Sequence, residues 1–102
     1  MQIHAQYTGN VLYVRLSGEI DEHTAGAARR EADRLADAYV GSERAVFDLR
    51  DVSFMDSTGI GFLIGRYKKF RRNGVDTYLT NPSQSTDTIL SMSGVYTLMP
   101  KI

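Results

Sequence analysis

The run Asp48-Leu49-Arg50-Asp51-Val52-Ser53-Phe54-Met55-Asp56-Ser57-Thr58-Gly59 holds the residues best placed to do chemistry. Its pattern predicts an apolar strand, then a short polar loop that delivers Ser57 to the start of a helix. A helix N-terminus presents backbone N–H groups without intrahelical partners and the positive end of the macrodipole, so it favours a negative group. A serine there can cap the helix as it stands, or carry a phosphate without breaking the fold. Ser, Thr and Asp are the preferred N-caps, so residue types alone leave open that Asp56-Ser57-Thr58 only starts a helix. Thr58 is a second hydroxyl, one place further on.

Other chemistries fail on spacing. A nucleophile elbow needs Gly-x-Ser-x-Gly, whereas Ser57 has Met55 and Gly59 at those places. His23 is a nominal base, but no oxyanion site accompanies it. Gly59-x-Gly61 begins like a dinucleotide loop, yet Ile64 stands where the third glycine belongs. With no cysteine in 102 residues, disulfides, thiol catalysis and thiolate metal sites are excluded. His4 and His23 lie too far apart to suggest a metal site. Twelve basic and twelve acidic residues cancel, which argues against nucleic acid as the main partner. No apolar run approaches the ~18 residues of a membrane span, and no signal-peptide pattern opens the chain, so a cytoplasmic protein is expected.

The elements that must position Ser57 follow from periodicity. Ile3, Ala5 and Tyr7 alternate, as do Leu12, Val14 and Leu16, with Thr8-Gly9-Asn10 between them; this predicts a β-hairpin. Asp21 to Thr24 supply N-cap candidates for a first helix, whose Ala25, Ala28, Ala32, Leu35, Ala36 and Tyr39 share one face. Gly41 is expected to end it. Ala45 to Leu49 reads as a buried strand. A second helix starts near Ser57, buries Ile60, Leu63, Ile64, Tyr67 and Phe70, and stops at Asn73-Gly74. Val75 to Thr80 predicts a fourth strand, Pro82 to Ser93 a third helix, and Tyr96 to Met99 a last short strand. The whole is one α/β domain over residues 1–102, with a mixed sheet of four to five strands, an N-terminal hairpin and three helices.

Gly59, Gly61 and Gly65 crowd the start of the second helix, where each interior glycine costs about 0.8–1 kcal/mol against alanine. Close packing on the sheet is one explanation. Docking is the other: Gly61 and Gly65 lie off the expected core face, with Phe62 beside them as an exposed apolar anchor. The basic cluster Lys68, Lys69, Arg71 and Arg72 complements the dipole at the helix C-terminus.

Three segments together resemble the anti-sigma factor antagonists of the STAS family. They are Met55-Asp56-Ser57-Thr58-Gly59 with Gly65-Arg66-Tyr67-Lys68, Gly18 to Ala25, and Asn81-Pro82-Ser83 with Ser91 to Val95. The likeness spans roughly residues 10 to 99 and is greatest to the sporulation type. Two departures stand out: the third helix is unusually polar, and Ile102 falls short of a further C-terminal helix that many members carry. The resemblance implies a binding module rather than an enzyme, without a cofactor, that acts as a monomer or weak dimer. Its unphosphorylated form would bind an anti-sigma factor that is also a serine kinase. Phosphorylation on Ser57 would abolish binding, and a phosphoserine phosphatase would reset it. Asp56 and Asp21 resemble the family's acidic residues around the serine. Met55, Thr58, Gly59, Ile60, Gly61, Phe62 and Gly65, with His23 and Thr24, are the docking candidates. The family also implies alternatives: a nucleotide- or anion-sensing module, or a subunit of a stress-signalling scaffold.

Overall fold

The structure, a computed structural model, describes residues 1–102. Strands β1 (Gln2–Thr8) and β2 (Val11–Ile20) pair antiparallel with Thr8 opposite Val11, which leaves Gly9 and Asn10 as a two-residue turn. Their φ angles are 58° and 63°. Two consecutive left-handed residues are what a type I′ hairpin turn requires, because its twist matches that of the flanking strands.

Strands β3 (Arg44–Met55) and β4 (Asp76–Thr80) then add in parallel, giving one mixed sheet in the order β1-β2-β3-β4. Parallel neighbours need long crossovers. Helix α1 (Ala25–Ala38) supplies the first and α2 (Ser57–Arg72) the second. Helix α3 (Gln84–Ser93) follows β4, capped at its start by the Ser83 side chain, which accepts from the Thr86 N–H. The strands turn Leu12, Val14, Leu16, Phe47, Leu49 and Leu79 into a single apolar cluster with the buried residues of all three helices. Ala28, Ala32, Leu35 and Ala36 form the α1 stripe, as their spacing predicts. Phe47 meets Phe70 edge-on at 5.8 Å between ring centroids. His4, Gln6, Tyr13 and Arg15 lie exposed on the opposite face of the sheet.

Four expectations are corrected. β3 does not end near Leu49; it runs on to Met55, which pairs with Ile20, so only Asp56 separates strand from helix. Pairing with β2 outweighs the polar composition of residues 50–53, most of which take exposed places on the strand. No fifth strand forms from Tyr96 to Met99. Gly94, at φ 79°, turns the chain into a 3-10 turn over Val95–Thr97. Val95 and Met99 are both buried and four residues apart, a helical spacing. Strand-like contact shifts to Lys101, in a single bridge to Leu79. Helix α1 stops at Ala38, before Gly41.

The fourth correction bears on the site. The buried positions of α2 are Gly59, Phe62, Leu63, Arg66 and Phe70, while Ile60, Ile64 and Tyr67 are only partly covered. A buried arginine sits within the inward stripe, so counting apolar residues rotates the helix the wrong way. The C-terminal end is as its residues predict. Gly74 takes φ 73°, and Lys69, Arg71 and Arg72 occupy the last turn. Lys69 also reaches Asp37 of α1 at 2.9 Å.

Candidate functional site

Parallel pairing of Ile20 with Met55 brings two chain reversals side by side, since each strand ends there and each leads into a helix. The carboxyl ends of parallel strands are the usual place for a site in such sheets. After β2, Asp21 organises the turn: its Oδ1 accepts from the N–H of His23 at 2.9 Å and of Thr24 at 3.2 Å. Thr24 locks the same turn, donating its hydroxyl to the Glu19 carbonyl at 2.8 Å and accepting from the Asp21 N–H at 3.1 Å. Asp21 and Thr24 therefore shape the loop. His23 stands exposed beside it, with Nδ1 3.8 Å from Asp21 Oδ1.

After β3, Asp56 is the N-cap of α2, and its Oδ1 accepts from the Thr58 N–H at 2.9 Å. Ser57 is the first helical residue and is exposed. Its hydroxyl takes no part in the cap. The helix start thus has its own carboxylate device, and the serine is free of that duty.

The three glycines divide. Gly59 is buried, and a Cβ added there would lie 2.4 Å from Met55 Cγ and 3.3 Å from Ile20 Cγ2. Packing explains Gly59. Gly61 and Gly65 have no atom within 4 Å of an added Cβ, so packing explains neither. Two docking candidates are corrected by their burial. Met55 is 2% exposed and lies under Gly59; Phe62 is 5% exposed and belongs to the core. Phe62 is covered by the Arg66 guanidinium, 5.1 Å from its ring centroid. The exposed aromatic close to Ser57 in the chain is Phe54, at 48%. Ile60 remains half-buried and Gly61 exposed on the outer side of α2.

Between α1 and α2 runs a groove of about 430 Å³, walled by Ala25 and Gly26 on one side and by Gly61 and Gly65 on the other. Residues 2–102 match the STAS domain. This chain belongs to the STAS family. The anti-sigma F factor antagonist of Paenibacillus polymyxa is 35% identical over 100 residues, covering 98% of this chain and 85% of its own length. The anti-sigma-B factor antagonist of Bacillus subtilis is 30% identical over 95 residues, covering 93% and 84%. In fold, the STAS domain superposes on the Bacillus cell fate determinant SpoIIAA in its phosphorylated form. The TM-score is 0.72 at 24% identity, over 99% of this chain and 91% of the other.

Sequence reasoning missed two residues of this STAS domain that also line the groove, Arg29 and Arg66. Arg66 carries a faint signal, since it follows Phe62 by four places and so shares its helix face. Burial pushes its pKa down, and Asp33, at 2.8 Å from Nε, opposes that. Arg29 carries none, being one of several arginines on a polar helix.

Proposed function

We propose that this STAS domain is an anti-sigma factor antagonist that works by partner switching, with Ser57 as its phosphoacceptor. The observation that carries the reading is the position of Ser57: exposed, first in the helix, and relieved of capping by Asp56. The names of the relatives from Paenibacillus polymyxa and Bacillus subtilis support the role. SpoIIAA, which shares the fold, has a phosphorylated form.

Unphosphorylated, the domain binds an anti-sigma factor and frees the sigma factor held by it. The same partner acts as a serine kinase and supplies the catalytic base and Mg²⁺ from its own side, so the domain is substrate rather than catalyst. The phosphate adds about −1.5 to −2 charges at neutral pH. It lies next to the Asp56 carboxylate, in a surface that docking must desolvate. An unpaired buried charge costs several kcal/mol, and each ~1.4 kcal/mol is a tenfold loss of affinity. Binding fails by about a hundredfold or more without refolding, because the helix N-terminus favours the phosphate it carries. A phosphatase restores the binding form.

Incubation of the protein with source-cell lysate and Mg²⁺–ATP, followed by peptide mass spectrometry, tests the acceptor. One phosphate on Ser57 is expected, and none on a Ser57→Ala variant. Modification at Thr58 instead, or no modification, overturns the assignment.

A further inference from the structure

We propose that the groove between α1 and α2 receives an acidic side chain carried on a helix of the docking partner. Arg66 is the main observation. Its side chain is 6% exposed, and its Nε, buried without a hydrogen bond, makes an ion contact with Asp33 at 2.8 Å that is not aligned as one. A donor left unmatched in a protein interior is rare, and the same guanidinium carries four further N–H donors on its Nη atoms. Arg66 lines the groove, so a ligand there meets them.

Arg29 is the independent observation. It is exposed, forms no ion pair, and lines the same groove; its charge acts on Arg66 to disfavour the second positive charge. Two cations face one cavity whose lining holds no carboxylate, Asp33 being engaged with Arg66. An incoming carboxylate relieves that repulsion and can take a bidentate contact from an arginine. The walls select the carrier. Gly61 and Gly65 leave open space where side chains would stand, and Ala25 and Gly26 face them, so a helix backbone can approach closely. Phe62 lies beneath the Arg66 guanidinium and holds it over its ring at the groove.

The inference rests on the partner-switching reading for the class of partner and adds the chemistry of contact. Thr58 lines the groove as well, which puts Ser57 beside its end. A phosphate on Ser57 then brings negative charge to the mouth of a site built for a negative group.

The test uses the full chain, amide chemical shifts, and a synthetic alanine-based helical peptide of about sixteen residues, long enough to hold some helix. The peptide carries two glutamates four places apart; its twin carries glutamines. Saturable shifts at Gly26, Thr58, Gly61 and Gly65 are expected with the glutamate peptide, and about tenfold weaker binding for the twin. Arg29→Gln, at an exposed position, should weaken the glutamate peptide several-fold while keeping the melting temperature. Equal binding of both peptides, an unaffected Arg29→Gln variant, or no shifts overturns the proposal. Inorganic phosphate giving the same shifts at the same concentration also overturns it, in favour of a small-anion site. No kinase is involved, so a failed switch at Ser57 leaves this result readable.

Discussion

Ser57 and Asp56 are neighbours with opposite duties, and stability measurements separate them. Asp56 fixes the start of α2 through the Thr58 N–H. Asp56→Ala should therefore cost about 0.5–2 kcal/mol, the usual loss for an N-cap. Ser57→Ala removes an exposed hydroxyl with no capping role and should stay within about 0.5 kcal/mol of the parent. Ser57→Asp places a negative charge in the first turn, where the dipole contributes about 0.3–1 kcal/mol in its favour. A melting temperature that drops for Ser57→Ala would make the serine a structural residue. The glycines divide in the same way. Gly59→Ala drives a methyl against Met55 and Ile20, an overpacking that costs about 1–3 kcal/mol, less the helix-propensity gain. Gly61→Ala meets nothing and should raise stability by up to about 1 kcal/mol. If Gly61 serves docking, the same variant binds its partner less well while melting higher. Thermal unfolding beside a binding assay reads both.

At the scale of elements, the junction of α3 with the chain end hangs on Asp87. It accepts from the Tyr96 hydroxyl at 2.6 Å and from Lys101 Nζ at 3.0 Å. The Tyr96 bond, then Lys101, hold the Asp87 carboxyl below its ordinary value of 3.8, and burial with the Asp87 contact pushes the Tyr96 hydroxyl up. A carboxyl with a depressed folded pKa contributes stability that is present above its unfolded pKa and lost as pH falls through the folded one. Acid should thus loosen α3 and the last residues below about pH 4, near the unfolded carboxyl pKa. Carboxyl carbon shifts followed against pH should show Asp87 titrating below 3.8, with Tyr96→Phe moving it back up. An Asp87 that titrates normally in the parent would remove this tie.

The elements also show what the sequence can carry. The hairpin is legible because Gly9 and Asn10 state the turn type, and α1 because its alanine and leucine stripe has one period. The Ser57 helix start is legible because cap residues are few in kind. The inward face of α2 is not, since Arg66 occupies a core position with Asp33 from another helix as its counter-charge, and the apolar pattern alone places Phe62 on the exposed side. Long-range partners leave no local mark. The end of β3 is hidden for a related reason: its polar residues are held in the sheet by pairing with β2. The groove between α1 and α2 joins residues some thirty-five places apart, and no spacing rule points to it.

The whole molecule keeps its structural and its exchangeable parts on separate surfaces. All three helices share one core against one face of the sheet, and the carboxyl ends of β2 and β3 carry the turn of Asp21, the cap of Asp56 and the exposed Ser57. Ser57 lies outside that core, so under the partner-switching proposal a change of charge there is expected to alter association and leave folding intact. That is the central claim, and paired capture from source-cell lysate with Ser57→Ala and Ser57→Asp as baits tests it most directly. The alanine bait should melt close to the parent and the aspartate bait no lower, and the alanine form alone should retain a kinase-fold anti-sigma factor. Equal retention by the two baits, or no kinase-fold protein on either, would contradict the switch.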